Sequence, residues 1–419
     1  MNDLFKYYAK NNLLTTQKLK EVTQLYELND QQLLERYNAN FLKIFRGAYK
    51  NSEFYRNLYQ EHGIQVNDIK ELSDIKKLPI IEKPAVRANI DKIYFGSSLI
   101  KSIGYTSGTT GTPLNIYRTP TNVVTEQAYL RHYRYSHGYQ LGQPLLSIRG
   151  MLDKNTTHKF YKQANILYIS SHNINAGTID FYFKLIKDFA PKAVEAFPSL
   201  LYKICNEMRL KGYRISIPNA FTSSETLYGF QREMIEPFLE TSIHDWYGNG
   251  ERTICLVQDT ANRYKPLPLY SINEFDDDQI ITTGLTNKNF PLIRYRVDDI
   301  IKVNGNDFYK NITSPEILEI QGRAGDNIDL KDGSSVPCID HAFKGVDHLE
   351  MAQVHQYGTV RPLEIKLVVT PDFGESDLNI IRTKFSNMVG KDTQYMVTYC
   401  KAEDLTYSPN QKYKLVIKH

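Results

Sequence analysis

Between Leu145 and Leu239 short apolar runs alternate with longer stretches of helical spacing, and this alternation restricts the fold more than any other feature. Leu145-Leu146-Ser147-Ile148, Ile166-Leu167-Tyr168-Ile169 and Ala193-Val194-Glu195-Ala196-Phe197 are strand-like. Phe181 to Phe189, Leu200 to Lys211 and Leu227 to Leu239 are helix-like, and Pro218 to Thr222 enters a further unit of the same kind. Strands separated by helices of this length pair in parallel, because each helix carries the chain back over the sheet. An α/β layered domain with a largely parallel sheet is expected.

The flanks differ. From Leu14 to Tyr59 the chain reads as helical, with Leu34, Tyr37, Phe41, Ile44 and Ala48 at intervals of three and four forming one apolar stripe. Those aromatics are expected to be core. Asn122 to His137 returns to a helical pattern. From Ile254 to Val303 alternation with turn signals, as at Gln279-Ile280-Ile281-Thr282-Thr283, predicts an antiparallel β portion. Past Asp326 strand, helix and strand signals follow at Leu363 to Thr370, Asp377 to Met388 and Gln394 to Cys400, enough for a small α+β domain. A chain of 419 residues exceeds one core, so two or three units are expected.

Composition excludes several classes. A net charge of +4 over this length gives no ground for nucleic-acid binding. No apolar run approaches the roughly 18 residues that span a bilayer, and Met1-Asn2-Asp3-Leu4-Phe5-Lys6 lacks the apolar core of a secretory signal. Cys205, Cys255, Cys338 and Cys400 are far apart with no Cys-x-x-Cys pair, which suits reduced thiols in a cytoplasmic protein and argues against zinc.

Gly104-Tyr105-Thr106-Ser107-Gly108-Thr109-Thr110-Gly111-Thr112-Pro113 is the stretch richest in chemistry. Glycines let a backbone turn tightly and aim several N–H groups at one anion, and Ser and Thr add hydroxyl donors. A phosphate suits such a loop. The common ATPase loop is excluded, because no Gly-Lys-Ser/Thr follows at the required spacing. The alternating Pro113-Leu114-Asn115-Ile116-Tyr117 makes the context strand, loop, strand, so no helix dipole assists and cations must come from elsewhere. A Gly/Thr-rich surface hairpin is the alternative from these residues alone. A second turn, Tyr247-Gly248-Asn249-Gly250-Glu251-Arg252, follows Ile243-His244-Asp245-Trp246 at a strand end, where ligands of α/β sheets collect.

Four blocks, "YTSGTTGTP", "WYGNGER", "PLIRYRVDDI" and "GRAGDNI", occur in the order and spacing of adenylate-forming enzymes. Together with "NSEFYRNLYQEHGI" and "LPIIEKPAVRANI", the layout resembles the branch that contains phenylacetate–CoA ligases and capsule-associated CapK-like proteins. The resemblance runs from about residue 40 to the end. It implies a large multi-layer α/β domain with a β-rich subdomain over 1–325, helical to about 100, and a small mobile α+β domain over 326–419.

The resemblance also implies roles. Ser107, Gly108, Thr109, Thr110 and Gly111 match the loop that holds the β- and γ-phosphates of ATP. Glu251 matches a magnesium-contacting carboxylate, Tyr247, beside Gly248, the aromatic that stacks on adenine, and Ser224 with Glu225 the adenine-edge segment. Asp299 matches the carboxylate that accepts both ribose hydroxyls, preceded here by Asp298 where the family more often has Gly. Arg323 and Asp326 match the hinge, with Asp326 as pivot and Arg323 as a phosphate-side or hinge contact. In the tail, Lys412 matches the catalytic lysine, with Gln411 and Lys414 standing where the family usually has Gly and Arg. Taken singly, Glu251 and Lys412 also read as solvated charges and Tyr247 as packing.

The expected activity is ATP-dependent activation of a small carboxylic acid to an acyl adenylate, then transfer to a thiol, coenzyme A first and a carrier-protein phosphopantetheine second. An adenylyltransferase acting on a hydroxyl and a non-catalytic nucleotide-binding protein of surface-polysaccharide assembly are the alternatives. The acid pocket is expected around His132 to Tyr135, Phe197 to Leu201 and Trp246, aromatic enough for a flat acid.

Overall fold

The computed structural model describes residues 11–97, 101–105, 114–149, 152, 156–170, 174–276, 279–305, 307–323, 328–331, 335–336, 339–343, 346, 348–407 and 413–419. The chain forms two compact units, one from Met1–Gln143, Lys162–Asn165 and His244–Ile320, the other from Pro144–Tyr161, Ile166–Ile243 and Gln321–His419.

The first unit opens with helices Leu13–Leu25, Asp30–Asn51 and Glu53–Glu61. The second of these starts at a capping box: the Asn29 side chain accepts from the Gln32 N–H at 2.9 Å, and the Gln32 side chain accepts from the Asn29 N–H at 3.1 Å. Its buried stripe is Leu33, Tyr37, Phe41, Ile44, Phe45 and Ala48, with Leu34 at the margin. Asn29→Ala removes the cap and is expected to cost about 1 kcal/mol of stability, read as a lower urea midpoint at unchanged slope; an unchanged midpoint would contradict the cap's contribution.

That stripe packs on a four-stranded sheet ordered Ser271–Asp276, Gln279–Gly284, Tyr295–Asn304 and Glu316–Arg323. The first three strands pair antiparallel, as the alternation predicts. A second antiparallel set, Ile243–Gly248, Cys255–Gln258 and Tyr264–Pro266, brings the turn at 249–252 to a strand end. The third β element is the hairpin Ser102–Tyr105 with Asn115–Arg118, Tyr105 opposite Asn115.

The second unit carries the parallel sheet. Ala220–Ser223, Ala193–Ala196, Leu145–Arg149 and Ile166–Ser170 pair in that order, and His158–Tyr161 adds an antiparallel edge. Helices Ile179–Phe189, Pro198–Leu210 and Gly229–Leu239 connect or flank these strands. Toward the carboxyl end, Tyr395–Tyr399, Leu363–Val369, Leu349–Gln356 and Val416–Lys418 form a mixed sheet with helix Glu375–Val389. Among the described residues no helix is long and apolar enough to cross a membrane, and Cys205, Cys255 and Cys400 are free thiols.

Candidate active site

In the first unit the turn after Ile243–Gly248 is tied by its own asparagine. Asn249 Oδ1 accepts from the Thr253 N–H at 2.9 Å and Asn249 Nδ2 donates to Thr253 Oγ1 at 2.8 Å. The chain reverses through Arg252 at φ 57°, so Glu251 turns inward and is only 8% exposed. Its Oε1 accepts from the Tyr295 hydroxyl at 3.0 Å and lies 3.8 Å from Lys83 Nζ. A carboxylate this buried needs such partners, because an unpaired charge there would be costly. Lys83 comes from helix Lys83–Ala88, within the amino-terminal block that carries the resemblance.

The same strand end supplies Tyr247, whose hydroxyl donates to Asp299 Oδ2 at 2.6 Å. Asp299 sits on Tyr295–Asn304, so this strand bears Asp299 and the Tyr295 that bonds Glu251. Tyr247 and Glu251, near neighbours on one turn, therefore share a locality with Asp299, 52 positions beyond Tyr247. Gly248 approaches its neighbours closely: an added Cβ would stand 3.3 Å from both the Ile254 carbonyl oxygen and Trp246 Nε1.

Ser107, Gly108, Thr109, Thr110 and Gly111 lie outside the described residues, as do Asp326 and Lys412; only the hairpin strands flanking the loop are described. Arg323 ends the strand Glu316–Arg323.

In the second unit Ser224 and Glu225 follow Ala220–Ser223, at the carboxyl end of a parallel strand. Ser224 is exposed and left-handed, φ 73°. Glu225 holds two backbone groups: Oε2 accepts from the Ser199 N–H at 3.1 Å, at the head of Pro198–Leu210, and Oε1 from the Tyr413 N–H at 2.8 Å. Buried Gln353 grips the tail as well. Its Nε2 donates to the carbonyls of Thr406 at 2.8 Å and Lys414 at 2.9 Å, and its Oε1 accepts from the Thr406 N–H at 2.8 Å. Sequence reasoning named Glu225 but missed Gln353, Lys83 and Tyr295, residue types whose ordinary use is elsewhere.

The residues expected around the acid are spread over both units. In the first, His132 stacks on Tyr26 at 4.1 Å, and buried Tyr133 packs edge-on against Trp246 while donating to the Asp245 carbonyl at 3.1 Å. His137 stacks on His244 at 3.8 Å. Burial holds His132 and His137 below the ordinary imidazole pKa, so neither supplies a cation at neutral pH. In the second, Phe197 to Leu201 are the buried head of Pro198–Leu210.

This architecture is the fold of the adenylate-forming CoA ligases. The structure matches 2-hydroxyisobutyryl-CoA ligase, solved in its postadenylation state with 2-HIB-AMP, at a TM-score of 0.68 and 16% identity, covering 93% of this chain and 89% of that one. In sequence the chain is 26% identical to Protein CapK of Staphylococcus aureus over 356 residues, 80% of this chain and 75% of that protein. It is 21% identical to the phenylacetate-coenzyme A ligase of Escherichia coli K12 over 429 residues, 93% of this chain and 95% of the relative. No family profile matches the chain.

Proposed function

We propose that the protein is an AMP-forming acid–thiol ligase of the cytoplasm. Its substrate carboxylate attacks the α-phosphorus of ATP, releasing pyrophosphate, and a thiol, coenzyme A by preference, then attacks the acyl carbon and releases AMP. The observation that carries this reading is the convergence of Tyr247, Glu251 and Asp299 in one locality of the first unit, joined by the 2.6 Å Tyr247–Asp299 bond and the Tyr295–Glu251 bond. Relatives named for coenzyme A ligation support it.

Asp299 would accept the ribose hydroxyls, with Tyr247 holding one oxygen so that the carboxylate keeps its orientation. Tyr247 would lie along the adenine, and Ser224 would meet its edge. The Gly/Thr loop from Ser107 to Gly111 would cradle the β- and γ-phosphates, and Lys412 would neutralise charge growing at phosphorus. Arg323 and Asp326 would form the hinge about which 326–419 turns between the two half-reactions. Magnesium fits the turn at Glu251. The carboxylate is a hard oxygen donor, and the described residues contain no group of three or more His, Cys, Asp or Glu, so an ion there would complete its ligands from phosphate oxygens and water. When bound, it would supply neutralisation of phosphate charge.

The deciding experiment is pyrophosphate release across a panel of carboxylic acids, with and without coenzyme A. Release that needs an acid supports the ligase. Release that needs a hydroxyl acceptor would replace it with an adenylyltransferase, and no release with any acceptor would leave a nucleotide-binding protein, such as one of polysaccharide assembly. Independently of the acid, Asp299→Ala is expected to weaken AMP and ATP alike by roughly tenfold or more, the usual worth of hydrogen bonds to a charged group. Calorimetry giving unchanged AMP affinity would remove Asp299 from the ribose.

A further inference from the structure

We propose that Arg118 is an anion-binding residue of this site, taking a phosphoryl oxygen on the pyrophosphate side of the nucleotide. The inference rests on the ligase reading for its ligand but on separate residues for its support.

Arg118 closes the hairpin strand Asn115–Arg118 and faces Ser102 across the register. Its guanidinium lies directly on the backbone of Gly104 in the partner strand. A Cβ at residue 104 would stand 2.1 Å from the guanidinium carbon and 2.4 Å from Nε and Nη2, so the close approach requires glycine there. From that seat Nη2 donates to the carbonyl of Gly250 at 2.8 Å, the residue before Glu251. One side chain thus joins the strands that flank the Gly/Thr loop to the turn that carries the buried carboxylate.

Its hydrogen bonding is incomplete in a particular way. A guanidinium has five N–H donors, and among the described residues the Gly250 carbonyl is the acceptor Arg118 finds. Nε is buried and donates to no described group. No described carboxylate comes within ion-pair distance of it, whereas its neighbours are engaged. Arg252 lies 3.7 Å from Glu126 Oε1 and donates to Asn122 Oδ1 at 3.4 Å. Glu126 also accepts from the Tyr270 hydroxyl at 2.6 Å, and Glu251 is taken by Tyr295 and Lys83.

Burial and the charge of Arg252 together lower the Arg118 pKa to about 10, against the opposing pull of Glu126, Tyr270 and Glu251. It remains a cation at neutral pH. A partly buried cation beside a like charge is costly unless an anion joins it, and a planar fork matches two oxygens of one phosphoryl group. The pyrophosphate side is favoured over the AMP side because Arg118 belongs to the strands that flank the phosphate-type loop, while the ligase reading gives the ribose to Asp299 and the adenine to Tyr247.

The test uses the full chain, inorganic pyrophosphate with magnesium, and AMP, each titrated by calorimetry. Arg118→Met is expected to weaken pyrophosphate by roughly tenfold, as for loss of a charge-assisted bond, with AMP affinity changed less than about twofold on the same grounds. Arg118→Lys should recover part of the pyrophosphate affinity. Gly104→Ala, which displaces the guanidinium and leaves the charge in place, should also weaken pyrophosphate more than AMP. These two variants carry the test should Arg118→Met fail to fold. Unchanged pyrophosphate binding in the folded variants overturns the proposal and leaves the ligase reading intact. Equal loss for AMP and pyrophosphate overturns it too, showing a strut for the Glu251 turn. A wild-type protein that binds neither ligand overturns the ligase reading and this proposal together.

Discussion

Lys412→Ala is expected to lose pyrophosphate release from acid and ATP by roughly two to three orders of magnitude, the usual cost of removing one charge-assisted contact from a developing phosphoryl charge. The same variant should convert a chemically supplied acyl adenylate and coenzyme A to thioester at close to the wild-type rate. The split follows from the proposed division of labour: the ammonium is needed while charge accumulates at phosphorus, and the thiol step has none to neutralise there. The described residues on either side of Lys412 are tied within the second unit. Gln353 ties Thr406 to Lys414, Tyr407 bridges Tyr413, and Glu225 holds the Tyr413 N–H. Asp326→Pro should give the opposite profile, since proline fixes the backbone angle at the proposed pivot: adenylation retained, thioester formation slowed. Both half-reactions are run on both variants with the best acid from the panel. Wild-type pyrophosphate release by Lys412→Ala would make the tail match accidental, and Gln411 and Lys414 would then be read as marks of a different tail.

What the sequence disclosed divides along physical lines. The parallel strands at Leu145, Ile166 and Ala193 were legible as short apolar runs, the last of them set between helices Ile179–Phe189 and Pro198–Leu210. Leu363–Val369 was legible as an apolar run and Glu375–Val389 by its helical spacing. Leu349–Gln356 was not, because it buries Gln353, His355 and Gln356 along with Met351, Ala352 and Val354, and its polar letters conceal an inner strand. Val416–Lys418 escaped because three residues carry no period; its parallel pairing with Val354 to Gln356 exists only in three dimensions. At the site, Tyr247, Glu251 and Asp299 were found through their blocks, and the structure places them together. The two hydrogen bonds that the Glu225 oxygens accept from the Ser199 and Tyr413 N–H groups carry no local signal, the second partner lying 188 positions away. Arg118 and Lys83 carry no local signal, since isolated cations in sequence are usually solvated.

Arg294 shows the same limit inside a block that was recognised, and its loss is expected to have the largest effect on stability. It lies in "PLIRYRVDDI", directly before Tyr295 and five positions before Asp299. Its guanidinium forms a two-point pair with Glu274, Nε to Oε1 and Nη2 to Oε2 both at 3.0 Å. Nη1 donates to the carbonyls of Leu78 at 2.6 Å and Lys76 at 3.2 Å. One side chain therefore fastens the antiparallel sheet to the amino-terminal segment that leads to Lys83. Glu274 is 7% exposed, so Arg294→Ala leaves a buried carboxylate without its cation and strands two carbonyls. Removing one member of such a pair typically costs 3–5 kcal/mol, which should appear as a large fall in urea midpoint. Arg294→Lys should recover only part, because an ammonium cannot reproduce the fork. The double variant Arg294→Met with Glu274→Leu should be more stable than Arg294→Ala alone, since removing both charges removes the uncompensated one. If Arg294→Ala lowered stability by less than about 1 kcal/mol, the pair would be no stronger than an exposed one.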